Sequence, residues 1–200
     1  LVPAKIELAI LVKACINGSS EMLSNLSQSL VSMLYNFQLI RIAGENGVAA
    51  YGVIMYVNFI FTGVFFGYSI GSASIIGYHY GAGNHNELKN LFQKSLWLTG
   101  IWSVALTGLA ILLSTPLSRI FVGYDTQLLT LTSHGFRLYA LSFLFMGFNV
   151  FGSAFFTALN NGVVSAVISF LRALVFQVAF TLLLPVFFQV DGIWLAISGA

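Results

Sequence analysis

Five long stretches of this chain, 22–40, 46–86, 95–118, 138–171 and 173–190, contain no Asp, Glu, Lys or Arg. A membrane-crossing helix needs about 20 mainly apolar residues. The pattern predicts five complete helices over 20–42, 50–80, 92–115, 128–158 and 162–187, and a sixth that starts at 191 and is truncated at 200. The stretch 46–86 has room for two short helices, but its first polar break is Gly81-Ala82-Gly83-Asn84, so one long helix is expected. Asn160-Asn161-Gly162 has the residues of a tight turn between the fourth and fifth spans. Pro116 and Pro185 are expected near helix ends, where the missing N–H costs least. Residues 1–19 differ: Lys5, Glu7 and Lys13 interrupt an apolar pattern, as in an interfacial linker helix. The plainer alternative for them is a loop.

Composition agrees with this pattern. Hydrophobic residues make up 58% of the chain and charged residues 7%. A soluble domain carries roughly 25% charged residues, so these helices could not cover themselves in water. The fold class expected is all-α: a polytopic membrane bundle whose first partner is the lipid bilayer. A net charge of +2, scattered along the chain, argues against nucleic acid. Cys15 is the only cysteine and cannot pair within the chain. Lys5, Lys13, Lys89 and Lys94 flank helix ends on one side, and Arg41, Arg119 and Arg137 on the other. The four-to-three balance places the lysine side in the cytoplasm. The chain opens at Leu1 without a signal sequence and stops inside an apolar run, so both ends are expected to be cut.

The first span carries the strongest polar pattern. Glu21, Asn25, Gln28, Ser32 and Tyr35/Asn36 recur at three- and four-residue steps, which places them on one helix face. An unpaired polar group in hydrocarbon costs several kcal/mol, so this stripe must meet protein or water. It either lines a solute cavity or bonds to neighbouring helices. Glu21 is a cation or proton site, or a first-turn acid favoured by the helix dipole. Asn58 is a lone polar group in the second span and a candidate for the same cavity. Gly63, Gly67 and Gly71, at four-residue spacing, are expected to let another helix approach. Arg172 is the one arginine well inside an apolar span. It is either functional or snorkels toward the nearby turn. His79, His85 and His134 have no metal-ligand spacing with Cys, Asp or Glu, and no phosphate loop, nucleophile elbow or HExxH appears. Neither an enzyme nor a cofactor is expected.

Several segments resemble, in order, one family: the multidrug and toxic compound extrusion (MATE) transporters, in particular their MepA-like branch. Gly77-Tyr78-His79-Tyr80-Gly81-Ala82-Gly83 resembles the Gly-Tyr-Asn-Tyr-Gly-Ala stretch that closes the eighth helix. Asn17-Gly18-Ser19-Ser20-Glu21 resembles the Gly-x-Pro/Ser-Glu opening of the seventh. Phe155-Phe156-Thr157-Ala158-Leu159-Asn160-Asn161-Gly162 is similar to the turn from the tenth helix to the eleventh. Ser169-Phe170-Leu171-Arg172 and Asp191-Gly192-Ile193-Trp194-Leu195-Ala196 fit the eleventh helix and the start of the twelfth.

The resemblance implies a twelve-helix, two-lobed exporter, with this chain as its carboxy-terminal lobe and an amino-terminal lobe as its missing partner. It implies a bacterial inner-membrane, multi-pass antiporter exchanging organic cations or drugs for Na+ or H+. The expected solute path runs along Glu21, Asn25, Gln28, Ser32, Tyr35, Asn36, Asn58 and Arg172. One departure matters. Many relatives place a carboxylate eight positions after the Gly-x-Pro proline; Ser20 takes the proline position here, so the match is Gln28. The coupling acid is then Glu21 or lies in the other lobe. A lipid-linked saccharide flippase of the same superfamily and a non-transporting membrane structural protein are the alternatives.

Overall fold

The computed structural model describes residues 8–196 and Ser198, and every regular element among them is helical. Helix α1 (Leu8–Gly81) is two helices joined at Gly44, whose φ of 65° and ψ of −156° interrupt the helical path. That region of backbone space is essentially reserved for glycine. The two arms, before and after Gly44, run antiparallel: Tyr35 stacks on Tyr51 across them, with ring centroids 5.4 Å apart and planes within 1° of parallel. The linker expected over 1–19 lies partly outside the described residues. From Leu8 onward it is continuous with the first arm, without a break before the predicted span.

Gly83 (φ 69°) turns the chain into α2 (His85–Val122), and the Asn84 side chain caps that helix by accepting from the Glu87 N–H. Pro116 lies inside α2 rather than at its end, and the helix runs on to Val122. Nearby hydroxyls, Ser114 to the Ile111 carbonyl and Ser118 to the Ser114 carbonyl, bond back to the backbone around the proline. Such side-chain bonds help a membrane helix tolerate it. Asp125 caps α3 (Thr126–Ala140), which meets α4 (Phe143–Ala158) at a bend of 50°. Here the sequence predicts one unbroken span. The bend comes from i to i+3 bonding: Leu141, Ser142, Leu144 and Phe145 donate to carbonyls three residues back. Those tighter turns break the α-helical register without a proline.

Asn160, at φ 58°, makes the turn into α5 (Gly162–Phe170), and Asn161 caps it by accepting from the Val164 N–H. The helix continues through a π-helical segment (Leu171–Phe176) into α6 (Gln177–Ala196), which is itself broken at Gln189, φ 51°. After that break the chain packs back on itself. A Cβ on Gly192 would lie 2.7 Å from the Pro185 nitrogen, and Trp194 closes on Gly135 of α3. His134 Nε2 and Asp191 Oδ1, 2.9 Å apart, pair beside that contact.

Among the described residues, three helices are long and apolar enough to cross a membrane, and the bent α3–α4 pair makes a fourth candidate. The first of them, Asn25–Gly81, has 57 residues. At 1.5 Å per residue that is about 85 Å, far beyond a hydrocarbon core of about 30 Å. Its break at Gly44 divides it into two helices. The core runs through the middle of the bundle from Val31, Tyr35 and Leu39 to Tyr51, Ile54, Phe136, Tyr139, Phe143 and Trp194. A second cluster of Ile76, Phe151 and Phe155 lies toward the turns at 82–84 and 159–161.

Candidate functional site

The first arm of α1 divides the predicted polar stripe by depth. Asn25 and Gln28 are exposed, Ser32 and Asn36 are half-buried, and Tyr35 is 1% exposed. Tyr35 keeps nearly the same helix face as Gln28, seven residues earlier, but Tyr51 and α6 cover it. Val31, Tyr35 and Leu39 form the buried line. Asn36 Nδ2 donates to the Ser32 carbonyl at 2.9 Å, and Ser29 Oγ donates to the Asn25 carbonyl at 3.1 Å. Among the described residues, Asn25, Gln28 and Asn36 make no side-chain bond to another helix. Glu21 is helical in its backbone, and its side chain lies outside the described positions.

Behind the stripe sits a neutral polar cluster that sequence reading did not assemble. The Ser32 hydroxyl faces the Tyr51 phenol. The Tyr35 hydroxyl faces the Thr181 and Gln177 side chains of α6, yet closes no hydrogen bond of standard geometry. Thr181 Oγ1 instead donates to the Gln177 carbonyl at 2.6 Å. Tyr139 of α3 completes the group, buried like Gln177 and Thr181. One signal pointed to it: Gln177 and Thr181 are polar residues, one helical turn apart, inside the apolar run 173–190. Tyr35, expected at the cavity wall, is therefore a core residue whose ring packs on Tyr51. A solute reaches it only when helices separate.

The remaining candidates lie apart from this face. Asn58, on the second arm, is half-buried, and its Oδ1 is buried without a partner. Arg172 is half-buried on the π-helical segment. Next to it a hydroxyl network holds α4 to α5: Ser153 Oγ lies 3.0 Å from Ser165 Oγ and 3.1 Å from Ser169 Oγ, and Thr157 Oγ1 lies 2.8 Å from Ser165 Oγ. Gly63, Gly67 and Gly71 are exposed, and a Cβ on any of them would meet nothing within 4 Å. The close helix expected against them is therefore not supplied by the described residues. At the other end, the segment Gly77–Gly83 abuts the α4–α5 turn, where a Gly77 Cβ would lie 3.7 Å from the Ala158 carbonyl oxygen. Among the described residues no three His, Cys, Asp or Glu side chains gather as metal ligands.

A bundle of apolar helices with broken, bent and π-helical segments, long enough to cross a bilayer, is the architecture of a polytopic membrane protein. The MatE family model matches residues 21–183, and the chain belongs to that family. No curated protein matched the sequence. The fold is similar to a crystal structure of a MATE protein carrying a single proline-to-alanine substitution, with a TM-score of 0.91 at 21% identity over 100% of this chain and 44% of that one. It is similar to the outward-facing conformation of a multidrug resistance MATE family transporter of the MOP superfamily, at 0.90 and 22%, over 100% of this chain and 45% of that one. It also resembles a MOP superfamily transporter from Pyrococcus furiosus, described as having a binding pocket of reverse polarity that points to a different function, at 0.88 and 22%, over 97% and 44%. The chain thus spans a little under half the length of the structures it matches, the extent of one lobe.

Proposed function

We propose that this chain is the carboxy-terminal lobe of a secondary multidrug antiporter of the MepA-like branch, exchanging organic cations or drugs for Na+ or H+ across a bacterial inner membrane. The observation that carries this reading is the outward polar face of Asn25 and Gln28, continued by Ser32 and Asn36, on a helix otherwise built for lipid. Glue within the lobe would require these side chains to bond to neighbouring helices, and Asn25, Gln28 and Asn36 do not. The face is left for water, solute or an amino-terminal lobe. The open Gly63-Gly67-Gly71 line offers that lobe a second place of close approach. Substrate would bind between the lobes near the midplane, and transport would proceed by rocking of one lobe against the other.

The cluster behind the face, Tyr35, Tyr51, Tyr139, Gln177 and Thr181, is neutral. It can orient a solute by hydrogen bonding, but it carries no fixed charge to exchange for a cation. Coupling is therefore assigned to Glu21 or to the other lobe. The test is efflux of a cationic dye by the full-length protein under separately imposed Na+ and proton gradients. Each neutral hydrogen bond to the solute is worth about 1 kcal/mol. The Asn25→Ala, Gln28→Ala double variant should therefore lose about five- to thirtyfold in efflux efficiency at unchanged expression. Efflux at the parental rate would remove the stripe from the transport path. Loss of efflux in Glu21→Gln under one gradient only would assign the coupled ion.

A further inference from the structure

We infer that the outer face of α2 is a binding site for an anionic phospholipid, with the lipid tail in an apolar groove and its headgroup on Lys89 and Lys94. The groove has a volume of about 770 Å³ and lies between α2 and α4, bordered by Trp97, Gly100, Ile101, Val104 and Phe148. Gly100 makes it possible: with no side chain it leaves a notch beside the Phe148 ring, whose Cζ would lie 3.4 Å from a Cβ placed there. Trp97 is 77% exposed, Ile101 62% and Val104 65%. A water-filled recess with this lining would be costly, whereas hydrocarbon fills it without penalty.

The occupant follows from what continues the groove along the same helix. At about 100° per residue, Asn90 and Lys94 stand about 20° and 60° to one side of Trp97, and Gln93 and Lys89 about 40° and 80° to the other. The face thus changes from hydrocarbon-compatible at 97–104 to amide and ammonium at 89–94. Lys94 is about 4.5 Å and Lys89 about 12 Å along the axis from Trp97. Both lysines, with Gln93, are exposed. Trp97 sits at the change of polarity, the level at which tryptophan anchors to the headgroup region. A tail in the groove therefore brings its phosphate within reach of the Lys94 and Lys89 ammoniums, which flank the Gln93 amide, while the Asn90 amide is held by Glu87, donating to its Oε2 at 3.3 Å. Among the described residues, the polar face of α1 pairs no apolar recess with cations, so the site is separate from the proposed transport path and does not depend on it.

The experiment uses the full-length protein in lipid nanodiscs doped with phospholipids brominated on the acyl chain, which quench a tryptophan they touch. The Trp97 signal is isolated by subtracting a Trp97→Phe variant. Brominated phosphatidylglycerol is compared with brominated phosphatidylcholine at equal mole fraction. A lysine near an anionic headgroup is worth about fivefold in association, so the two predict a preference on the order of twentyfold for phosphatidylglycerol. The Lys89→Gln, Lys94→Gln double variant should bring it to within about twofold of unity. Gly100→Val should weaken both lipids by filling the notch. Equal quenching by the two lipids in the parent protein would mean ordinary boundary lipid and would overturn the assignment. So would no quenching by either, which would show that protein covers the groove, and so would a preference that survives in the lysine variant.

Discussion

Gly147 is a tight junction of three helices and offers a sharp test of how the bundle is packed. It lies on α4 where the second arm of α1 and helix α2 both press in. A Cβ placed there would sit 2.5 Å from Cε1 and 2.8 Å from Cδ1 of Phe65, and 2.8 Å from Ser103 Oγ. Carbon atoms in good contact stand about 3.5–4.0 Å apart, so Gly147→Ala forces the Phe65 ring away by about 1 Å. Phe65 is 4% exposed and Ser103 1%, so neither has free space to retreat into. Overpacking of this kind costs about 1–3 kcal/mol. Alanine also returns up to about 1 kcal/mol of helix propensity, which blurs the sign of a single measurement. Gly152, on the same helix, removes that ambiguity: a Cβ there meets nothing within 4 Å. Gly152→Ala receives the same propensity gain without the clash, so the difference between the two variants isolates the contact at about 1–3 kcal/mol. Thermal unfolding of the full-length protein in detergent should place Gly147→Ala below Gly152→Ala by about 3–10 °C, taking about 2–4 °C per kcal/mol. Equal melting temperatures, or Gly147→Ala the more stable, would refute the three-helix junction.

Two further outcomes follow from backbone and hydroxyl geometry. Gly44→Ala places a Cβ in a backbone region that only glycine occupies readily, and should cost about 1–3 kcal/mol; a melting temperature equal to the parent's would show that the two arms of α1 are not joined by this turn. Tyr35→Phe removes a hydroxyl that closes no standard hydrogen bond while keeping the ring stacked on Tyr51, so stability should be unchanged or raised; a fall of more than about 3 °C, the scale of one lost hydrogen bond, would show that Gln177 or Thr181 holds that hydroxyl.

The neutral cluster behind the first arm changes how the polar face works. Its phenol rings are packed on other rings and the Thr181 hydroxyl bonds to its own helix, with no ion pair among them. Separating the first arm from α6 therefore exposes no unpaired charge in that cluster. A lobe packed this way can open a path beside Tyr35 at lower cost than one closed by a buried salt bridge, whose breakage leaves a bare charge in a poor solvent. The bend between α3 and α4 and the break at Gln189 lie on the elements that carry Tyr139, Gln177 and Thr181, so the cluster sits where helices are least regular.

What the amino-acid sequence determined by itself was whatever depends on near neighbours. Stretches without charge marked the apolar helices because a charge in hydrocarbon is costly wherever it lies. Asn160 and Gly83 marked turns because few residues tolerate a left-handed backbone. The three- and four-residue rhythm of Asn25, Gln28, Ser32 and Asn36 marked one face because a helix has one period. Tertiary structure alone decided which part of that face is open. Tyr35 follows the same rhythm as Gln28, yet it is buried because Tyr51 and α6 arrive there from later in the chain. The bend at Leu141–Ser142 has no proline or glycine to announce it, and the glycines at 63, 67 and 71 looked like a packing seam but face open space. Gly147 meets Phe65 from far along the chain, and Gly100 opens a groove only because Phe148 stands beside it. Pairings between distant residues leave no local signature, since each partner is an ordinary apolar or small residue until the helices are assembled.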